Sequence, residues 1–221
     1  MPALDFAFEP GAHACHFFDS FGQQKEVVLP FFRDGLENGE YCLYVTHDQS
    51  VDDWCFEFQA YGIDVQAEVE RGSLAIITGD QWHDGGAFNS IVKAREAWQM
   101  FEAKLADFSG VRIAGDASWA LEPALRADQL CHWEATANLI YEGEAIRAIC
   151  QYNLQKHAPA ALHSALRTHR LAILDGRGYA NPYFEADRIL ENEPNLNESP
   201  ADAATVKDML VRLAMQPQLI Q

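Results

Sequence analysis

Short apolar runs that suit strands alternate with longer helical patterns along most of the chain, and this alternation constrains the fold more than any single motif. HACHFF (13–18), YCLYVTH (41–47), SLAIITG (73–79), VRIAGD (111–116) and IRAICQYN (146–153) are the candidate strands, with LAIL (171–174) as a final edge strand. Most of these runs are apolar at successive positions, so both faces of the sheet must be covered. The expectation is an α/β domain with a mostly parallel β-sheet sandwiched by helices.

The intervening segments carry helical spacing. KEVVLPFFRDGLENG (25–39) places Val28, Leu29, Phe32 and Leu36 near one face and stops at Asn38-Gly39. DSFGQQ before it reads as a turn, which puts Pro30 in the first helical turn or at a kink. Further helices are expected over 52–62, 88–108, 128–143 and about 157–168. ENEPNLNESPADAA (191–204) is polar and turn-rich, and separates a body of residues 1–190 from a C-terminal segment, 191–221. Val206, Met209, Leu210 and Leu213 form the apolar stripe of a last helix, which either docks on the body or joins two copies as a homodimer.

Composition removes several classes. A chain of 221 residues buries roughly 70% of its unfolded surface, so neither disulfides nor a metal are needed for folding. Sixteen Lys and Arg stand against 33 Asp and Glu, for a net charge of −17. With no compensating basic run, nucleic acid and anionic membranes are poor partners. Five scattered cysteines without a CxxC pair argue against a disulfide framework. MPALDFAFEPG lacks a basic start and a long apolar run, and no stretch approaches ~18 apolar residues. Cytoplasmic localisation is the expectation.

In open parallel sheets, ligands bind outside the carboxyl ends of the strands. Polar groups stand at each such end: Asp19 and Ser20; His47 and Asp48; Asp80, Trp82 and His83; Asp116, Ser118 and Trp119; Gln151, Tyr152 and Asn153. A phosphate loop, GxxxxGK[ST], would follow the first strand. That segment reads DSFGQQKE, which keeps Gly22 and Lys25 but has Glu26 where a magnesium-binding hydroxyl belongs. Walker-type ATP hydrolysis is not expected.

His13, Cys15 and His16 cluster in sequence, but strand alternation puts His16 on the face opposite the other two. His13 and Cys15 are then either a satisfied histidine beside a small buried thiol, or two ligands of a metal site completed by Cys42 and Cys150. In CHWEATAN, Cys131, Glu134 and Asn138 share one helix face, and Glu134 is a general base, a ligand contact or a surface carboxylate. Asp116 with Trp119 suits a pocket wall or an ordinary turn. GxSxG, HExxH and GxGxxG are all absent, so no enzymatic signature stands out.

Taken together, HACHFFDS (13–20), LPFFRDGLENGEYCLYV (29–45), GSLAIIT (72–78), VRIAGDASWAL (111–121), the WE…N helix (133–138), ICQYN (149–153) and LRTHRLAILDGRGYANPYFE (166–185) resemble the MEDS domain, the sensory domain of methanogen and methylotroph regulators such as DcmR. The resemblance spans roughly residues 10–190. It implies a RecA/KaiC-like three-layer fold without a functional phosphate loop, and a role in signal transduction. It also implies a simple hydrocarbon derivative or other small organic molecule as ligand, and a partner such as a histidine kinase or transcription regulator.

By position, the resemblance picks out His13, Cys15, Glu40, Cys42, Arg112, Asp116, Trp119, Glu134, Asn138, Cys150, Gln151 and Tyr152. His169-Arg170 stands where the family has His-Pro, and Trp133 where it has Tyr. The expected ligand-binding set is His13, Cys15, Asp19, Glu40, Arg112, Asp116, Trp119, Glu134 and Tyr152, with no cofactor. Two other readings remain at this stage. One is a divergent nucleotide hydrolase or thiol-dependent enzyme using Cys15 with His13; the other is an interaction protein whose pocket is filled.

Overall fold

Seven strands form one sheet in the order β3-β2-β4-β5-β1-β6-β7. The computed structural model describes residues 6–83, 90–118, 127–191 and 201–219. The strands are β1 (His13–Phe18), β2 (Tyr41–Thr46), β3 (Leu74–Thr78), β4 (Val111–Asp116), β5 (Ile146–Asn153), β6 (Leu171–Leu174) and β7 (Arg177–Ala180). All neighbours pair in parallel except β6 and β7.

The helices divide between two faces as the crossovers require. α1 (Phe21–Glu37), α2 (Val51–Ala60) and α3 (Val65–Arg71) carry the chain from β1 to β2 to β3 over one face. There Val27, Phe31, Trp54 and Phe58 pack against Tyr44, Ala114 and Ile149. α5 (Ser90–Leu105), α6 (Ala127–Tyr141) and α7 (Pro159–Thr168) return over the opposite face. Ala97 and Phe101 of α5 meet Leu43 and Ile113 there, and Leu162 and Leu166 of α7 meet Cys15 and Phe17. The parallel crossovers then all share one sense, as expected where twisted strands favour a single hand. Short helices α4 (Gly79–His83) and α8 (Ala186–Glu191) lie between these layers' elements in sequence, and α9 (Ala203–Ala214) follows.

Three local readings need correction. DSFGQQ is not a turn before the first helix but its start. Ser20 caps α1 by accepting from the Gln23 amide, and Gln23 Oε1 accepts from the Asp19 amide at 2.7 Å. The first bond satisfies an amide the helix leaves open and the second holds the residue before the cap, so α1 begins at Phe21 and Pro30 falls in its interior, where the Glu26 carbonyl loses its usual partner. LAIL is not an edge strand. It lies between β1 and β7, because Asp175 (φ 51°) and Gly176 (φ 71°) turn the chain back into a hairpin.

The last helix docks on the body. Val206 and Leu213 of α9 are buried in the cluster containing Leu162 and Leu166 of α7. Beyond it the Leu219 amide donates to Gly178 O at 2.9 Å, which ties the tail to the β7 edge. Most of the polar segment between α8 and α9 lies outside the described residues, as does Trp119.

Candidate functional site

Strand alternation sorts the polar residues of the sheet into two networks. On the α1 face, His16 Nδ1 accepts from Gln151 Nε2 at 3.3 Å. Gln151 Oε1 accepts in turn from the Tyr44 hydroxyl at 3.0 Å and from Gln24 Nε2 at 3.3 Å. Burial alone pushes His16 down to about 3, so this ring is neutral.

The other face holds the candidate site. His13 is the first residue of β1, Cys150 lies in the middle of neighbouring β5, and Glu134 projects from α6, which covers both. His13 Nε2 lies 3.4 Å from Glu134 Oε2 and 3.4 Å from Cys150 Sγ. The Cys150 thiol points at Glu134 Oε2 at 3.4 Å, and the Tyr152 hydroxyl donates to Glu134 Oε1 at 2.7 Å. His169, between α7 and β6, brings its Nε2 within 3.6 Å of Glu134 Oε2. Its ring centre is 4.0 Å from that of His13.

Side chains behind the site orient these rings. Asn138 Nδ2 donates to the Glu134 and Thr168 carbonyls, both at 2.9 Å. That fixes the amide so that its Oδ1 faces His13 Nδ1 at 3.3 Å. His169 Nδ1 donates to Ala165 O at 2.8 Å.

The electrostatics follow from burial. Burial by itself raises the Glu134 carboxyl; the neighbouring His13 and His169 imidazoles, which favour its charged form, and the Tyr152 hydroxyl outweigh it and hold the group at about 2. Burial takes His169 down to about 3, so its ring is neutral. Burial and the Glu134 carboxylate push the Cys150 thiol well above its ordinary value, and burial does the same to Cys15.

A cavity of about 40 Å³ adjoins the site. Glu134 and Cys150 form part of its wall, and Val45, Ile113, Gly115 and Trp133 supply apolar lining. Gly115 is the register partner of Cys150, and a Cβ there would meet only Val45, at 3.9 Å. The missing side chain keeps that space open.

The residues expected from the sequence are not all in one place. His13, Glu134 and Tyr152 meet, with Cys150 and Asn138. Cys15 faces the same layer, but its thiol donates to Leu171 O at 3.6 Å. Asp116 borders the cavity, with its carboxylate engaged by the Asp48 and Ser118 amides. Asp19 lines a separate hollow beside Lys207 and Leu210 of α9. Glu40 and Arg112 stand at the amino-terminal end of β2 and β4, where Arg112 pairs with Glu40 and donates to Phe31 O at 2.7 Å. Cys42 is on the α1 face, donating to Phe32 O, so it cannot join His13 and Cys150 around one ion. Cys15 does not belong to the converging donor group either.

His169 is the residue the sequence reading did not place in the site. Its only local signal was a buried-looking Thr-His immediately before a strand, and only the β5-β1-β6 strand order brings it beside His13.

The sequence model of the MEDS family, the methanogen/methylotroph, DcmR sensory domain, matches residues 12–170. Among solved structures, a KaiC-like protein from the hyperthermophilic archaeon Pyrococcus horikoshii OT3 superposes with a TM-score of 0.55 at 16% identity, covering 75% of this chain and 71% of that one. At that identity the likeness shows the fold. No curated protein matches the chain. No helix among the described residues is long and apolar enough to cross a membrane.

Proposed function

The chain belongs to the MEDS family of sensory domains, and from that premise we propose that it senses a small organic molecule held in the cavity beside Glu134 and Cys150. The observation that carries this reading is the cavity's composition and size. It is lined mostly by apolar side chains, with the Glu134 carboxylate and the Cys150 thiol on one wall and Asp116 at its border. Its 40 Å³ is a few times the roughly 10–15 Å³ that one water needs, so it suits a molecule of very few heavy atoms. An alcohol, aldehyde or halogenated hydrocarbon of one or two carbons has the apolar body and single polar group that such walls recognise.

Two features weigh against nucleotide chemistry. At the start of α1, Ser20 occupies the Gln23 amide and Gln23 occupies the Asp19 amide, so neither is offered to a phosphate, and Lys25 pairs with Glu57 at 2.8 Å. A thiol-dependent enzyme is disfavoured as well, because burial keeps Cys15 and Cys150 protonated. Signalling would then pass to a partner protein, through whichever conformation the bound ligand favours.

The test is a thermal-shift screen of the purified chain against small alcohols, aldehydes and halogenated hydrocarbons, run beside Gly115→Val, which fills the cavity. The expected result is a Tm rise with at least one compound, lost in folded Gly115→Val. No response from the folded wild-type chain, or an equal response from the variant, overturns the reading.

A further inference from the structure

We propose that His13, Glu134, Cys150 and His169 form a four-ligand site for one divalent cation of the zinc class. Each contributes a single atom: Nε2, Oε2, Sγ and Nε2. The four residues' ligand atoms lie within 4.8 Å of one another. Four of the six donor–donor separations are 3.4, 3.4, 3.4 and 3.6 Å. A tetrahedral zinc ion, with bonds of about 2.0–2.1 Å to nitrogen or oxygen and 2.3 Å to sulfur, sets neighbouring donors roughly 3.3–3.6 Å apart. The site is therefore close to ligand spacing before any ion enters.

The hydrogen bonds behind the ligands point the same way. His13 Nδ1–H is directed at Asn138 Oδ1 and His169 Nδ1–H at Ala165 O, so both rings turn an Nε2 lone pair inward. Outer partners on the far nitrogen are the usual means of orienting metal-bound histidines. Glu134 Oε1 is taken by the Tyr152 hydroxyl, which leaves Oε2 as the free carboxylate atom.

With both rings in that neutral Nδ1–H form, the interior has too many acceptors. Two imidazole lone pairs and a carboxylate oxygen converge, and the Cys150 S–H is the one hydrogen aimed among them. His169 Nε2 is fully buried and has no hydrogen-bond partner. An unpaired buried acceptor is costly, and a cation bonded to these atoms removes that cost. A dication balances the carboxylate and a Cys150 thiolate, giving a neutral buried centre. Binding releases the thiol proton to solvent, because a coordinated thiol is deprotonated. Two imidazoles, one thiolate and one carboxylate in tetrahedral array suit zinc better than magnesium or calcium, which take oxygen ligands, or copper(I), which favours more sulfur.

The site shares Glu134 and Cys150 with the wall of the organic-ligand cavity, but it does not rest on that reading, since four protein donors complete a tetrahedron unaided. The test is metal analysis and cobalt(II) substitution on the full-length chain. One zinc per chain is expected after reconstitution and desalting, and the cobalt form is expected to show tetrahedral visible bands with a thiolate-to-cobalt charge-transfer band. Cys150→Ser should remove the charge-transfer band, and His169→Gln should weaken zinc retention at least tenfold; Cys15→Ala and Cys42→Ala should change neither. Circular dichroism checks each variant's fold. A folded wild-type chain that retains no zinc and gives no charge-transfer band overturns the proposal, as does a band lost with Cys15 rather than Cys150. Zinc retention without any response to organic compounds would leave this site standing and remove only the sensing reading.

Discussion

Tyr152 donates its hydroxyl to Glu134 Oε1 at 2.7 Å, linking β5 to the helix that covers it. Glu134 is 1% exposed, so a lost donor cannot be replaced by bulk water. Tyr152→Phe keeps the ring and its packing but removes the one hydroxyl on that oxygen. Hydrogen bonds to a charged group contribute about 1.5–3 kcal/mol. A loss of that size is expected in urea unfolding of the metal-free protein. A change below about 0.5 kcal/mol, the range of neutral surface substitutions, would show that Oε1 is not held this way.

A second prediction concerns acid. His16 titrates at about 3 in the folded chain, lowered from 6.5 by burial alone. Its hydrogen-bond partner there is the uncharged Gln151 amide. Folding therefore favours the neutral ring. The unfolded chain takes up the proton first, so stability is fully present above pH 6.5 and is lost as pH falls from there toward 3. By pH 5 the loss is on the order of 2 kcal/mol from this residue. Glu134, held at about 2, is protonated only at lower pH and adds its loss below the ordinary carboxylate range. Urea midpoints at pH 7, 6 and 5 should fall more steeply for the wild type than for His16→Gln. Parallel curves would refute the assignment.

The β6–β7 hairpin gives a third. Asp175 and Gly176 both have positive φ, at 51° and 71°. A two-residue hairpin turn of this hand favours Asn or Asp followed by Gly. Gly176→Val forces a branched side chain into a left-handed backbone and should cost about 1–2 kcal/mol, whereas Asp175→Asn should be close to neutral. Equal effects in denaturant unfolding would mean that the turn relaxes to another geometry.

That hairpin also shows how much of the fold the sequence carried. Five parallel strands and β6 were visible as apolar runs because burial on both faces leaves an uninterrupted signal. β7 was not, because RGYA has only four residues and only its middle two are buried. Its one signal was the Asp175-Gly176 pair. α3, at seven residues, is too short for periodicity; Asp64 and Gly72 at its ends were its only markers. The start of α1 was hidden because Ser20 and Gln23 look like turn residues until their capping bonds are seen.

The candidate site was less legible than the fold. Alternation alone put His16 on the opposite face from His13, and the two hydrogen-bond networks do lie on opposite faces. Helical spacing placed Glu134 and Asn138 on one helix face. What spacing could not supply was distance across the sheet. His169 meets Glu134 only because β6 lies beside β1, and Cys150 rather than Cys15 meets the carboxylate because of where α6 crosses the strands. Glu40 and Arg112 illustrate the opposite problem. A charged residue in an apolar strand has the same appearance in sequence whether it awaits a ligand or is already paired.

The pairing of those two residues yields the last prediction. Glu40 is 5% exposed and is held by both Arg112 and Arg147, the latter at 2.6 Å. Arg112 is buried too, and its guanidinium also reaches Asp34 and the Phe31 carbonyl. Gly35 is required beside it, because a Cβ there would come within 2.6 Å of Arg112 Cδ. Arg112→Met keeps the aliphatic bulk but leaves the Glu40 carboxylate with one cation instead of two. Breaking a buried pair from one side costs about 3–5 kcal/mol, and the remaining Arg147 bond places this case near the lower end. Glu40→Gln with Arg112→Met should recover part of the loss, because it removes the charge left underpaired. Neither change should alter zinc retention or the response to small organic compounds, since this network lies on the α1 face of the sheet and the donor group lies on the α6 face. Destabilisation of that order in urea, with unchanged metal content, is the expected outcome. Lost metal binding in a folded Arg112→Met chain would instead assign Arg112 to the site.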